Sequence, residues 1–167
     1  WIVLRRRICG AIPYNREDGG VGMEKYAVSA CLCGKNCRYD GGNKLDETIA
    51  AFAREQGALL ICPECMVMKP PHPPSENTAD GRTVSKDGRD LTELFQEGAR
   101  RTLELCQKHG VTRAILKEKS PSCGVHTIYD GTFTGTLREG RGIAAALLEE
   151  NGIEIISEDD FLEGRIF

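Results

Sequence analysis

The chain has 167 residues, 40% of them hydrophobic and 28% charged, which supplies enough apolar side chain for one packed domain and excludes wholesale disorder. A formal net charge of -3 leaves no cationic surplus to neutralise a phosphate backbone, so direct nucleic-acid binding is not expected. No apolar run approaches the roughly 20 residues that a bilayer-spanning helix requires.

In chain order, residues 1–22 carry Arg5-Arg6-Arg7 and a loop-like Asn15-Arg16-Glu17-Asp18-Gly19-Gly20 without a sustained period, whereas a cleaner pattern opens at Met23. The stretch 1–22, Cys9 included, is therefore set apart as an upstream extension, and 23–167 is expected to form a single domain. Residues 26–30 read as a strand. Residues 45–56 place Leu45, Ile49, Phe52 and Ala53 at helical spacing before Gly57. The continuous apolar run 58–61 suits a strand buried on both faces. Five of the seven prolines lie between Pro63 and Pro74, which makes that segment an irregular loop. Residues 80–90 are polar, a weak hairpin or an exposed excursion. A long amphipathic helix over 91–109 should turn Leu94, Ala99, Leu103 and Leu105 inward and hold Cys106 in the core. Residues 112–116 are the next strand, 121–131 a loop, 142–151 a helix and 153–156 the last strand. Alternation of this kind predicts an α/β fold, a three-layer Rossmann-like domain with a mostly parallel sheet of four to five strands and right-handed crossovers.

Eight cysteines are an unusual number: Cys9, Cys31, Cys33, Cys37, Cys62, Cys65, Cys106 and Cys123. The start of the chain places its basic residues after a very short apolar stretch, unlike a secretory signal, so a reducing, cytoplasmic setting is expected and disulfides are not. In parallel sheets ligands collect beyond the carboxyl ends of the strands. Cys31 follows the first strand, Cys62 ends the second, and Cys123 lies in the loop after the third, so these three thiols should meet at one edge. Three thiolates from three loops suit a [4Fe-4S] cluster with one iron left open. Zinc held by Cys33, Cys37, Cys62 and Cys65 is the competing arrangement, and it leaves Cys31 and Cys123 without a role. Gly140-Arg141-Gly142-Ile143-Ala144-Ala145 has the form of a dinucleotide fingerprint without the acidic partner, and reads as a glycine turn whose amides could hold an anion. Among the histidines, His72 is expected at the surface, His109 at a helix end, and His126 nearest to the site.

Several segments together resemble the thiouracil desulfurase family: Val28-Ser29-Ala30-Cys31-Leu32-Cys33-Gly34, Cys37-Arg38-Tyr39-Asp40-Gly41-Gly42, Cys62-Pro63-Glu64, Pro70-Pro71-His72-Pro73-Pro74-Ser75-Glu76, Leu116-Lys117-Glu118-Lys119-Ser120-Pro121-Ser122-Cys123-Gly124 and Ile128-Tyr129-Asp130-Gly131-Thr132-Phe133. The resemblance implies a cluster held by three cysteines, here Cys31, Cys62 and Cys123 with Cys37 in reserve. It also implies a small thiolated nucleobase as substrate, whose sulfur is removed without net redox change. Cys33 and Cys65 depart from the family pattern and keep a zinc-binding, non-catalytic domain in view, as well as a sulfur-carrier accessory of tRNA thiolation that uses one of them as a persulfide. Water must be activated for the desulfurase reaction, and Glu64 is the first choice of base, Asp40 the second. Ser120, Ser122 and the amides near Gly124 are expected to bind the substrate or the cluster sulfides, with Lys119 offsetting negative charge. Oligomeric state leaves no signal in the sequence.

Overall fold

The computed structural model describes residues 12–13 and 24–165; the remainder of the 1–22 stretch, with Cys9, and Met23 lie outside the described residues. Five strands form the main sheet: β1 (Ile12–Pro13), β2 (Tyr26–Ser29), β3 (Leu59–Ile61), β6 (Arg113–Leu116) and β9 (Glu154–Ser157), in the order β1-β3-β2-β6-β9. The last four named run parallel, with Val28 opposite Leu60 on one side and Ile115 on the other, while β1 joins antiparallel at the edge. Between them come helix α1 (Glu47–Glu55), the antiparallel pair β4 (Ser75–Asn77) and β5 (Thr83–Ser85), helix α2 (Thr92–Lys108), a second antiparallel pair β7 (Thr127–Tyr129) and β8 (Leu137–Glu139), and helix α3 (Ile143–Glu150); helix α4 (Glu158–Leu162) follows β9. This is the expected α/β architecture.

Period-two alternation divides each central strand between two cores. Ala27, Leu59, Ile61, Ala114 and Leu116 pack with Cys106 of α2 and with Ala145 and Leu148 of α3. Val28, Leu60 and Ile115 pack on the opposite face with Ile49 and Ala53 of α1. With both faces covered, the strands read as the unbroken apolar runs seen in the sequence. None of the described helices is long and apolar enough to cross a membrane.

Local chemistry shifts four boundaries from the sequence reading. Asp46 caps α1 by accepting the Ile49 N–H at 3.0 Å, so Leu45 falls outside the helix and is 50% exposed instead of inward. The buried stripe of α2 is Phe95, Gly98, Ala99, Thr102 and Cys106, with Leu94, Leu103 and Leu105 at its margins, because Gly98 seats against the Pro63 carbonyl, where a Cβ would stand 2.4 Å from the oxygen. The expected loop 121–131 contains β7, held by the buried Ile128 between its turn residues. Finally, Ser157 and Asp160 form a capping box that starts α4, an element the sequence reading did not include.

Candidate active site

The carboxyl ends of β2, β3 and β6 open into a cavity of about 530 Å³, within the usual range for a small-molecule site. β2 passes at once into a 3-10 turn, Ala30–Cys33, β3 ends directly before Cys62, and the loop from β6 to β7 carries Cys123. All three expected thiols, together with Cys37, are on the cavity wall. The thiols interact strongly. Contacts with the thiols of Cys31, Cys62 and Cys65 push the Cys37 thiol up. Cys62 is held far below the ordinary thiol range, first by the thiols of Cys37 and Cys65 and also by the backbone N–H groups of Cys65 and Glu64, against the opposing effect of burial. The sulfurs of Cys62 and Cys65 stand 3.6 and 3.5 Å from the Cys37 carbonyl oxygen. Burial, followed by the neighbouring Cys62 charge, pushes Cys123 well up.

Cys33 and Cys65 lie off the cavity wall. Burial and then the Cys31 charge push Cys33 up to about 11, which makes it a poor nucleophile and weakens its reading as a persulfide carrier. Cys65 is buried behind Cys37 and Cys62. Among the described residues no group of three or more His, Cys, Asp or Glu side chains stands at the spacing of a single bound metal ion, and this holds for Cys31, Cys62 and Cys123 as it does for the four-thiol zinc set. A set of soft thiols facing open volume is instead the donor chemistry that suits a larger inorganic sulfide group.

Glu64 shares this wall. It opens a 3-10 turn, Glu64–Met66, after Pro63, and its side chain is 14% exposed. Oε1 accepts the Ser122 hydroxyl at 3.1 Å, and Oε2 is 3.3 Å from His72 Nε2. The second-choice base is elsewhere: Asp40 is exposed, absent from the cavity wall, and held below the usual carboxylate range first by the Gly42 N–H and also by Arg38. Of the expected substrate contacts, Ser120 and Lys119 line the cavity, but Ser122 and Gly124 do not. Ser122 is buried as a strut beneath Glu64. Gly124 is a packing position whose N–H is taken by the Ser120 carbonyl.

The Cys123 loop is fixed from three directions. The Ser120 hydroxyl accepts the N–H groups of Ser122 and Cys123 at 3.2 and 3.1 Å. The buried carboxylate of Glu118 accepts those of Val125, His126 and Thr127. The first amides of α3 are spent on the Pro121 and Ser122 carbonyls and the Gly142 N–H on that of Gly124, so these donors hold the loop and are not free for an anion. Gly142 sits at that junction, where a Cβ would come within 2.6 Å of Ser122 and Cys123 backbone atoms. Gly142→Ala is therefore expected to cost about 1–3 kcal/mol through overpacking, read as a fall of roughly 2–12 °C in Tm by thermal unfolding.

Two of the three histidines are placed differently from expectation. His126 is 57% exposed and pairs at 2.6 Å with Asp160, away from the cavity. His109 ends α2, with Nδ1 2.9 Å from the Leu105 carbonyl oxygen, as expected. His72 is the correction: its side chain is only 6% exposed and it reaches Glu64. Arg38, Tyr39, Lys44, Lys117 and Tyr129 also line the cavity, and no motif singled out their roles.

A parallel α/β enzyme domain with a thiol-lined cavity at its strand ends and three braced carboxylates in the wall, Glu64, Glu76 and Glu118, is what the fold and site define. The chain belongs to the 2-thiouracil desulfurase family, whose pattern it matches over residues 26–160. It is 39% identical over 143 residues to the uncharacterized protein YbbK of Bacillus subtilis (strain 168), across 80% of this chain and 95% of that protein. It is also similar to the solved structure of the [4Fe-4S]-dependent thiouracil desulfidase TudS, with a TM-score of 0.77 and 42% identity over 84% of this chain and 95% of that one.

Proposed function

We propose that this protein removes sulfur from thiouracil or a related thiolated pyrimidine, using a [4Fe-4S] cluster held by Cys31, Cys62 and Cys123, with Cys37 as the neighbouring reserve thiol. The observation that carries the reading is the meeting of these thiols, from three separate strand ends, on the wall that also presents Glu64. Family membership and the similarity to a [4Fe-4S]-dependent desulfidase support the same assignment.

When bound, such a cluster supplies a soft Lewis acid that polarises a carbon–sulfur bond. The chain supplies the rest. Glu64 takes a proton from water as the water oxygen attacks the carbon bearing sulfur. The carbon–oxygen bond forms, the carbon–sulfur bond breaks with its electron pair leaving on sulfur, and sulfur takes the proton returned by Glu64 and the remaining proton of the attacking water, so the products are the oxo-pyrimidine and hydrogen sulfide, with Glu64 restored and no change in oxidation state. Ser122 steadies the carboxylate through Oε1, and a carboxylate's remaining lone pairs stay available for the proton. Lys119 and Lys117, the latter paired with Glu158, put positive charge beside a site that gathers thiolates and sulfide. Tyr39, whose ring lies under the Arg38 guanidinium, and Tyr129 add aromatic surface to the wall that a planar substrate would meet.

Anaerobic reconstitution tests the reading. About four iron and four acid-labile sulfide per chain, together with sulfide released from thiouracil, are expected. One tightly held zinc per chain and no sulfide release would overturn it.

A further inference from the structure

His72 lies in the proline-rich loop, outside every segment of regular structure, yet its ring is buried against the carboxylate proposed to activate water. We propose that His72 is the positioning residue for Glu64, its Nε2–H acting as a second donor to the carboxylate from the side opposite Ser122. The inference rests on the reading of Glu64 as the base.

The ring geometry assigns the protons. His72 Nδ1 is 3.1 Å from the Pro73 carbonyl oxygen, which can only accept, so Nδ1 carries hydrogen. Nε2 then faces Glu64 Oε2 at 3.3 Å inside a nearly closed contact. A bare nitrogen lone pair against a carboxylate oxygen is repulsive, whereas an N–H there is attractive. Consistent with this, Glu64 beside the ring pushes the His72 pKa up, against the opposing effect of burial. Nε2 sits within ion-pair distance but off the line of a hydrogen bond and has no other partner among the described residues, a looseness common at catalytic groups before substrate closes the site.

The loop is built to aim that ring. His72 N–H donates to the Tyr39 carbonyl at 2.9 Å, which ties the proline loop to the turn that follows Cys37. Pro70 and Pro71 before it, and Pro73 and Pro74 after it, restrict the backbone on both sides. Glu64 is thereby gripped between two loops, by Ser122 from the Cys123 side and by His72 from the proline side. With His72 removed, the carboxylate hangs from one donor, and a displacement near 1 Å is enough to cost on the order of 100-fold in rate.

His72→Leu and His72→Gln in the reconstituted full chain test this. Leu should lower kcat on the order of 10- to 100-fold while KM, iron and sulfide content stay near parental values. Gln, whose side-chain amide can donate from near the Nε2 position, should restore most of the loss. Parental kcat in the Leu variant, a Gln variant no better than Leu, or iron lost in step with activity would each overturn the proposal. A second measurement is independent of turnover: imidazole 15N shifts at neutral pH should show both ring nitrogens of His72 protonated. A neutral ring bearing only Nδ1–H overturns the proposal. A doubly protonated ring in a protein that releases no sulfide from any thiolated pyrimidine would count against the desulfurase reading and for the His72–Glu64 pair.

Discussion

Cys62→Ala is expected to leave the reconstituted protein without its brown absorption and to cut sulfide release by more than about 100-fold, since substitutions that only touch a ligand's neighbours already cost 10- to 100-fold. Cys62 is the hub of the thiol group. It follows β3 without an intervening residue, Pro63 fixes the backbone just after it, and the Cys37 and Cys65 thiols, helped by the Cys65 and Glu64 N–H groups, favour its thiolate, the form that binds metal. Alanine there removes the thiol that contacts those of both Cys37 and Cys65. Cys31→Ala and Cys123→Ala should give the same result, because each supplies the thiol of a different strand end. Cys65→Ala and Cys33→Ala should keep full iron, since both residues lie off the cavity wall. Iron and sulfide per chain, with an anaerobic spectrum of each variant, decide the matter. Full iron and full turnover in the Cys31, Cys62 or Cys123 variant would remove that cysteine from the site.

The strand ends were readable because the buried strands β2, β3 and β6 leave short, largely apolar runs, and a residue at the end of such a run has one place to go. That reasoning placed Cys31, Cys62 and Cys123 on one wall without any knowledge of side-chain geometry. It failed where backbone hydrogen bonding, not side-chain pattern, decides position. His72 stands among prolines and looks exposed, but its own N–H binds the Tyr39 carbonyl and draws the ring inward. Glu118, between two lysines, looks solvated, yet it folds back to collect the amides of the Cys123 loop. Ser122 and Gly124 were read as substrate contacts because they flank a thiol, but one braces a carboxylate and the other makes room for Ile128 and the Thr127 carbonyl. Asp40, the second choice of base, is directed to solvent by the Gly41-Gly42 turn, where its carboxylate accepts the Gly42 N–H.

Glu64→Gln should separate the chemistry from the scaffold. Glutamine keeps the shape, and its carbonyl oxygen can still accept the Ser122 hydroxyl now bound by Oε1. The turn that begins at residue 64 is made by backbone groups, Met66 N–H to the Pro63 carbonyl and Val67 N–H to that of residue 64, so the substitution leaves it intact. What glutamine lacks is the capacity to take a proton. Cluster content, absorption and Tm should therefore stay near parental, while kcat for sulfide release falls on the order of 100-fold or more, the usual contribution of a positioned general base. The spectrum is the control that gives the result meaning: iron lost together with activity would make Glu64 a structural support of the Cys62 loop, and unchanged kcat would move the base elsewhere on the wall. A retained spectrum with slow turnover, combined with a His72→Leu variant that is slow to a lesser degree, would place the two residues in one unit. The double variant should then be no slower than Glu64→Gln alone, because a side chain that only positions a carboxylate has nothing left to position once the carboxylate is gone.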